Sequence, residues 1–447
     1  MAKWPLILLT LCAATAPAQS FSSANRPMPT VTGTDRQIQT WQERAKRAPL
    51  DYKGYDELGV AYLQKARETG DISYYDLAEQ TLKRALELAP PDFRSADPQV
   101  HMALVYMGEH RFSDAIALAQ KAIGSGAGNL AAFALEGDAY TDMGEYDEAI
   151  AAYNTMQSLG QNTTSPLSLA YMHDSRVAYL AFLHGDSAQS IRLMKSAIAA
   201  ALQINVPREN LAWLYFEAGE RYFQSGDLED AYLSYQAGIA ADPNHYRSLA
   251  GLAKVRAAQG RFEESIQLYQ RSIAVIPFPV YVAELGDVYK KVGRTSEAQQ
   301  QYDLVEYIGH LGKLNQVLAN RELALFYVDH DMKLTEALEL ARKEFEVRHD
   351  IYTWDTLAWV LYRNGRIQES GAAIGKVPAL RTNDPLIQFH AGMIYHRLGM
   401  NAIAETLLDS ALKTNPHFHV FYADTARHTL EELGELKTRD QRSVDAQ

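Results

Sequence analysis

The chain has almost no cysteine, since Cys12 is the only one in 447 residues. A single cysteine cannot close an intramolecular disulfide, and it leaves no cysteine pair for a structural zinc site. The sequence also lacks the H-E-x-x-H pattern of zinc peptidases, the G-x-S-x-G turn of serine hydrolases and the G-x-x-x-x-G-K-[ST] phosphate loop. We therefore expect no metal and no cofactor, and we predict that the protein is not an enzyme.

Three weaker signals for chemistry have structural interpretations. The segments 329–331 (Asp-His-Asp) and 417–419 (His-Phe-His) have spacings that resemble metal ligands. Side chains two residues apart on a helix point to different sides, however, and neither segment is joined by a second one. The Gly-rich segment 124–128 follows a predicted helix and lacks the Lys-Ser/Thr pair of a phosphate site, so we interpret it as a turn. A triad of distant Ser, His and Asp leaves no sequence pattern, and an enzyme of that kind stays the least favoured alternative.

Basic residues are fewer than acidic ones, with 43 Lys and Arg against 55 Asp and Glu and a formal net charge of -12. Proteins that bind nucleic acid need an excess of positive charge to neutralise phosphates. We therefore predict no nucleic-acid partner.

Long hydrophobic runs are also missing, because the apolar segment at residues 4–14 is far shorter than the roughly 20 residues that span a bilayer. Lys3 precedes it and Ala16-Pro17-Ala18 follows it, which is typical of a cleaved secretory signal peptide. We predict a signal peptide at 1–18, a flexible leader at 19–34, and export to the periplasm or the extracellular space, with no transmembrane segment in the mature chain. A retained anchor and a lipoprotein are the alternatives, and Leu11 before Cys12 disfavours lipidation.

What the chain does contain is a degenerate repeat of about 34 residues, clearest at 212–243 and present again around 246–277 and 385–416. In the first copy the recurring residues are Tyr215, Ala218, Gly219, Tyr222, Gly226, Ala231, Tyr235, Gly238 and Pro243. The first four follow the i, i+3, i+4, i+7 spacing of one helix face, and Ala231, Tyr235 and Gly238 repeat it on a second helix. Each copy therefore predicts an antiparallel helix pair that is closely packed at Gly219, turns at Gly226 and ends at Pro243.

The turn glycine recurs along most of the chain and sets the register of the repeats. It is found at Gly144, Gly185, Gly226, Gly260, Gly293, Gly365 and Gly399. Weaker copies fill the gaps at 55–90, 96–128 and 318–349. About ten helix pairs result, and since a lone pair cannot bury both apolar faces, neighbouring pairs must stack into a solenoid.

This repeat resembles the tetratricopeptide repeat family, and the signal peptide suggests an exported, bacterial-type member. The resemblance implies an all-α, right-handed superhelical solenoid with a concave groove that binds proteins or extended peptides. We place a first helix at 35–51, the repeat array at 52–416, a capping helix at 417–436 and a disordered tail at 437–447.

The family's ligand-facing positions lie on the first helix of each pair, and our alignment transfers them to residues of this chain. They are Met172, Tyr179, Phe182, Trp213, Phe216, Phe223, Phe326, Tyr352, Trp359, Tyr362, Phe389 and Met393, with Arg363, His396 and Arg397 beside them and Arg247, Lys254, Lys290 and Lys291 between them. This set predicts two aromatic patches separated by a basic one. The carboxylate clamp of chaperone-binding members is absent.

We predict a non-catalytic scaffold of the cell envelope or secreted space that binds a protein or extended peptide through this groove. The aromatic patches would bind apolar side chains, and the basic stretch would attract acidic segments. The first alternative is a glycan-binding or polysaccharide-export accessory module that stacks sugars on Trp213, Tyr352 and Trp359. A tightly wound superhelix that buries its inner face, or an error of one residue in the register, would instead turn these positions into core.

Overall fold

In the computed structural model, residues 33–126, 128–314, 320–377 and 382–445 are described. The predicted signal peptide, and all of the predicted leader except its last two residues, lie outside these ranges. The described part contains 22 α-helices and no strand. They are α1 (Gly33–Arg47), α2 (Tyr52–Thr69), α3 (Ser73–Leu88), α4 (Ala96–Gly108), α5 (Phe112–Gly124), α6 (Leu130–Met143), α7 (Tyr146–Thr163), α8 (Pro166–Leu183), α9 (Ser187–Ile204), α10 (Arg208–Gln224), α11 (Leu228–Ala241), α12 (Tyr246–Ala258), α13 (Phe262–Val275), α14 (Pro279–Lys291), α15 (Thr295–Leu314), α16 (Asn320–Asp329), α17 (Leu334–Val347), α18 (Ile351–Arg363), α19 (Ile367–Ile374), α20 (Pro385–Arg397), α21 (Asn401–Thr414) and α22 (Tyr422–Asp445).

Helices α2 to α21 form ten consecutive pairs, which confirms the predicted solenoid. All seven predicted turn glycines adopt a positive φ between 73° and 85°, the conformation that glycine takes without steric cost. Polar caps start several of the first helices: the Asn129 side chain accepts from the amides of Ala131 and Ala132, and the Asp384 side chain caps α20 in the same way. The local sequence therefore determines where each pair turns and where the next one begins.

Close packing within a pair depends on the small residues of the repeat. A Cβ atom on Gly219 would lie 2.5 Å from Cε1 of Tyr235, and one on Gly137 would lie 2.3 Å from Cε1 of Tyr153. Tyr235 and Tyr153 are buried, and each lies on the second helix of its pair. The prediction that Gly219 marks a close helix crossing is therefore confirmed.

The solenoid winds so tightly that successive superhelical turns touch. The amide of His349, just before α18, donates to the carbonyl of Met143 at the end of α6 (3.0 Å). Asn383, before α20, donates through Nδ2 to the carbonyl of Gly185 (2.6 Å), and Asn415, after α21, donates to that of Phe223 (2.7 Å). Helices α6 and α18 are twelve helices apart along the chain, and so are α8 and α20. One superhelical turn therefore contains six helix pairs.

The C-terminal region differs from the prediction in its boundaries. Residues 417–421 form turns, and α22 begins at Tyr422 instead of residue 417. This helix continues to Asp445 and so includes most of the segment 437–447 that we expected to be a disordered tail. No helix among the described residues has the length and apolar character needed to cross a membrane.

Candidate functional site

The predicted groove residues fall into three groups by exposure. Phe182, Phe216, Phe223, Phe326, Trp359 and Phe389 are buried. Met172, Tyr179, Arg247, Lys254, Tyr352, Tyr362, Arg363, Met393 and His396 are half-buried, and Trp213, Lys290, Lys291 and Arg397 are exposed. The first helices of the pairs therefore do carry these residues, but they do not form two open aromatic patches. The six buried residues are core residues, because the tight winding covers much of the inner face.

The chain's own C-terminal segment, residues 416–435, covers the second predicted patch. The Tyr422 ring stacks on Phe389 with 4.7 Å between centroids, and its hydroxyl donates to Asp329. Trp359 donates through Nε1 to the same Asp329 carboxylate (2.8 Å) and stacks on His390. Trp359 retains only 2% of its surface exposed. The last repeats therefore present no open aromatic surface at Trp359 and Phe389.

Two of the four residues in the predicted basic stretch form ion pairs inside the protein, and the other two lie against aromatic rings. Lys254 Nζ lies 3.0 Å from both carboxylate oxygens of Glu220, and Lys291 Nζ lies 2.8 Å from Asp424 of the C-terminal segment. Lys290 Nζ is 5.7 Å from the Phe421 ring centroid. The Arg247 guanidinium lies 5.1 Å from the Tyr246 ring centroid. These contacts argue against a free basic surface that would attract acidic segments.

The inner face is open in the first half of the solenoid, where a cavity of about 490 Å³ is lined mainly by the first helices of four successive pairs. We call it the acidic cavity. Its lining residues are Met107 from α4, Asp138, Thr141 and Asp142 from α6, Tyr153 from α7, Tyr171, Ser175, Arg176 and Tyr179 from α8, and Trp213 and Glu217 from α10. Trp213 retains 38% of its surface exposed, so solvent reaches the cavity on that side.

Two of the three carboxylates in the acidic cavity have a partner within the protein. Arg176 donates to Asp138 through two nitrogens, with Nε to Oδ1 at 2.8 Å and a terminal nitrogen to Oδ2 at 2.9 Å. Glu217 accepts from Arg221 at 2.7 Å. Paired geometries of this kind satisfy the charge of each carboxylate.

Asp142 is the exception. Among the described residues, its carboxylate makes no hydrogen bond and no salt bridge. Burial raises the pKa of Asp142 from 3.8 to about 7, although Arg348 and Arg321 of the next superhelical turn oppose the rise. Both arginines are paired with other carboxylates, Arg348 with Glu344 and Arg321 with Glu322. Asp142 is therefore a half-buried acid that lines the cavity without a salt bridge of its own.

Of the cavity residues, the sequence analysis named Tyr179 and Trp213 and missed the carboxylates. Asp142 stands two residues before the turn glycine Gly144, as Gln224 stands two residues before Gly226. Asp138 occupies the corresponding place one helical turn earlier, where its neighbouring repeat has Tyr179. The register was therefore sufficient to find both acids, but we had chosen aromatic and basic side chains only.

Histidines in the two segments with metal-like spacing, 329–331 and 417–419, make structural contacts instead. His330 Nε2 lies 2.8 Å from Asp287 Oδ1, and its Nδ1 lies 2.7 Å from the carbonyl of Phe326. His419 accepts from the amides of Phe421 and Tyr422 at the start of α22. Within residues 33–126, 128–314, 320–377 and 382–445, no group of three His, Cys, Asp or Glu side chains is placed to hold a metal ion.

Comparison with known proteins gives matches to the family whose sequence model is described as "Tetratricopeptide repeat", at residues 101–163 and 216–278. Among curated proteins, a "Protein CTR9 homolog" of Arabidopsis thaliana is 30% identical over 89 residues, which are 20% of this chain and 8% of that protein. A TPR repeat-containing protein of Methanocaldococcus jannaschii is 22% identical over 190 residues, which are 36% of this chain and 33% of that protein. The chain thus matches only a minor part of either relative.

Solved structures give matches along most of the chain. A chain from the crystal structure of the APC/C hetero-tetramer Cut9-Hcn1 matches with a TM-score of 0.32 and 12% identity, over 90% of this chain and 96% of that one. Yeast Tom70 matches with a TM-score of 0.40 and 13% identity, over 91% of this chain and 97% of that one. The family model thus matches two segments of the chain, at residues 101–163 and 216–278, and both segments lie within the stacked helix pairs.

Proposed function

We propose that this protein is a non-catalytic scaffold that binds an extended segment of a partner protein in the acidic cavity. The observation that carries this proposal is Trp213, a large aromatic side chain that stays 38% exposed at the edge of a cavity. Tryptophan contributes a large buried area to an interface at a low cost in side-chain entropy. Tetratricopeptide repeat scaffolds generally mediate protein–protein interaction, which agrees with this assignment.

The chemistry around the cavity supports binding without a reaction. Ser175 lines the cavity, and its Oγ donates a hydrogen bond to the backbone carbonyl of Tyr171 at 2.9 Å. It therefore engages a carbonyl of its own helix instead of a general base, which an activated serine would need. Thr141 likewise donates to the carbonyl of Gly137 at 2.8 Å.

Selection from a phage-displayed library of random dodecapeptides tests the proposal. The wild-type protein should enrich a set of peptides that Trp213→Ala no longer retains, because the substitution removes the exposed indole. Tyr307→Ala is the matched control, since Tyr307 is an aromatic residue on α15 with 56% of its surface exposed and no place in the cavity. Equal enrichment by wild type and Trp213→Ala would contradict the assigned site, and no enrichment by any form would contradict peptide binding.

We also propose that the protein is exported, with removal of residues 1–18. The support is the sequence of the N-terminal segment, with Lys3, the apolar run at 4–14 and the Ala-Pro-Ala site at 16–18. Mass spectrometry of the mature N-terminus, together with fractionation of cells that express a C-terminally tagged chain, tests this. A tagged chain that stays inside the cell and retains residues 1–18 would contradict export.

A glycan-binding function is the second candidate, because the exposed Trp213 ring and the Tyr171 ring lie in one cavity with carboxylates that can accept hydrogen bonds from sugar hydroxyls. Titration with the neutral oligosaccharide maltohexaose, followed by tryptophan fluorescence, separates it from peptide binding. Saturable binding that Trp213→Ala abolishes would favour the glycan, and an unchanged spectrum would contradict it.

A further inference from the structure

The acidic cavity has more negative than positive groups in its lining. It contains Asp138, Asp142 and Glu217 against Arg176 alone. Arg176 offsets Asp138, and Arg221, just outside the lining, offsets Glu217. The Asp142 carboxylate remains as the acid without a salt-bridge partner among the described residues. Asp142 is therefore the carboxylate of the lining with which a ligand cation could pair.

Burial makes it energetically unfavourable for the Asp142 carboxylate to be ionised without a cationic partner. A carboxylate that loses solvent without gaining a donor is destabilised relative to its protonated form, and the pKa of Asp142 is accordingly raised. A ligand cation at this position would restore the lost solvation with a charge-assisted hydrogen bond. The free energy available from such a contact is larger than at an exposed carboxylate, because the surroundings screen it less.

Aromatic rings form the other walls of the cavity. Tyr171 and Tyr179 from α8 and Trp213 from the next first helix, α10, line the same cavity as the carboxylates. Aromatic faces attract Lys and Arg cations, and Trp does so most strongly. Together, a carboxylate and an aromatic wall form the usual surroundings of a bound cation.

The protein already uses this combination for one of its own side chains. The Arg221 guanidinium lies 5.2 Å from the Tyr179 ring centroid and 4.6 Å from that of Phe182, and it donates to Glu217 at 2.7 Å. Arg221 is 4% exposed, so these contacts hold a nearly buried cation. Tyr179 and Glu217 also line the acidic cavity, and an incoming cation would meet similar chemistry there.

We propose that the acidic cavity binds a Lys or Arg side chain of the partner segment, with Asp142 as the counter-ion and Trp213 as part of the aromatic wall. This rests on the proposed peptide-binding function and names its ligand class as basic. It reverses the acidic preference that the basic residues of the sequence suggested. Two of those residues are paired with carboxylates of the protein, Lys254 with Glu220 and Lys291 with Asp424, whereas Asp142 has no salt-bridge partner among the described residues.

Binding should strengthen as the pH rises from 6 to 8, since a protonated Asp142 cannot pair with a cation. The charged and titratable groups that face Asp142 from the surrounding elements are Asp138 on the same helix, Arg176 and Tyr179 on α8, Glu217 on α10, Tyr146 on α7, Arg321 on α16, and Arg348 and Asp350 before α18. Burial also raises the pKa of Glu217.

Calorimetric titration with three capped octapeptides tests the proposal. In these probes Ala alternates with Arg, with Gln or with Glu, so that length and backbone are constant and only charge varies. For the wild-type protein we expect the Arg peptide to bind at least about tenfold more tightly than the Gln peptide, and the Glu peptide to bind more weakly still. Equal affinities for the three peptides, or no binding of the Arg peptide, would overturn the proposal.

Asp142→Asn is the informative variant, because it removes the charge and keeps the shape of the side chain. The affinity for the Arg peptide should fall about tenfold, while that for the Gln peptide stays constant. Asp303→Asn is the matched control, since Asp303 is an exposed acid on α15 that accepts from Gln299 and lies outside the cavity. Arg-peptide binding that Asp142→Asn leaves unchanged would overturn the role of Asp142.

The library selection distinguishes failure of this inference from failure of the proposed function. Peptides that depend on Trp213 but contain no enrichment of Lys or Arg would leave peptide binding standing and overturn the cationic preference. A library that yields no peptide dependent on Trp213 would overturn both. Saturable maltohexaose binding that needs Trp213 and is indifferent to Asp142→Asn would likewise overturn the cationic preference and favour a glycan.

Discussion

Two tryptophans of the predicted groove lie on first helices in different parts of the solenoid, and only one of the two is open to solvent. Trp213 on α10 is 38% exposed beside the acidic cavity, whereas Trp359 on α18 is 2% exposed. Both were assigned to the ligand-facing side of a first helix. Trp359 is covered because Tyr422 packs against it from the C-terminal segment, with 5.8 Å between ring centroids. The two residues differ in repeat position, since Trp213 stands 13 residues before Gly226 and Trp359 six residues before Gly365. Assignment to the ligand-facing side of a first helix is therefore not sufficient to predict whether a side chain meets solvent.

The comparison also explains why the charges differ between the two ends. At the C-terminal end, Lys291 pairs with Asp424 and Tyr422 donates to Asp329, so that the covering segment supplies partners for inner-face groups. At the acidic cavity, no segment of the described chain supplies a partner for Asp142. This difference in charge pairing is the reason for placing the proposed partner segment at the acidic cavity.

Replacing the covered tryptophan should have the largest effect. Trp359→Ala should lower the free energy of unfolding by about 3–5 kcal/mol, because a nearly buried indole loses its stacking on His390 and its hydrogen bond to Asp329. Urea denaturation followed by circular dichroism measures this. A loss below about 1 kcal/mol would show that the C-terminal segment does not cover Trp359 in solution.

Two turn glycines provide the next test, because they share a conformation and differ in contacts. Gly226 has φ 80° and a Cβ there would lie 2.4 Å from the carbonyl oxygen of Thr414, whereas Gly260 has φ 73° and nothing within 4 Å. Gly260→Ala should cost about 1–2 kcal/mol for the left-handed backbone alone. Gly226→Ala should cost about 1–3 kcal/mol more, since it also pushes the superhelical turns apart. Equal unfolding midpoints would contradict the contact between turns.

Replacing the unpaired acid Asp142 should change the free energy of unfolding by a smaller amount, and this change should be stabilising. Because the pKa of Asp142 is raised to about 7, the folded protein holds a proton that the unfolded chain releases near pH 4. Asp142 therefore costs stability as the pH rises from 4 to 7, and the full cost remains at pH 8. Asp142→Asn should raise the free energy of unfolding by about 1–2 kcal/mol at pH 8 and leave it unchanged near pH 4. Thermal unfolding at both pH values measures this, and destabilisation at pH 8 would mean that Asp142 has a partner in the folded protein.

The smallest effect on the free energy of unfolding is expected for a substitution at the exposed Trp213 beside the acidic cavity. Trp213→Ala should change the free energy of unfolding by about 1 kcal/mol or less, because the indole is partly solvated already. The same variant should lose the peptides selected by the wild-type protein. Comparison with Trp359→Ala under identical denaturant conditions is the direct measurement. A loss as large as that of Trp359→Ala would remove the distinction between the two ends.

Local spacing was sufficient to predict the ten helix pairs and their turns, because each pair is specified by residues within one repeat. Gly219 against Tyr235 and the positive φ of Gly226 are examples of such short-range determinants. The open or covered state of the inner face could not be predicted in this way. It depends on contacts such as that between Asn415 and Phe223, which are 192 residues apart, and on the C-terminal segment, for which the repeat gives no pattern.

The sequence alone was sufficient to predict only part of the acidic cavity. The register identifies Asp138 and Asp142 as inner-face residues once Gly144 is fixed as the turn. That Asp138 is paired and Asp142 is not depends on Arg176, which lies on the next pair and 38 residues away from Asp138. Pairing between repeats of different sequence is a tertiary property, and the repeat pattern does not determine it.

The contact between successive superhelical turns also has a consequence for how the chain folds. An open repeat array can grow from any nucleus, because each repeat contacts only its neighbours. Here, the bond between Asn383 and Gly185 closes a loop of 198 residues, and it can form only after helices α9 to α19 have stacked. Folding should therefore end with a slow step in which successive superhelical turns dock, and a chain shortened to its first five pairs should lack that step.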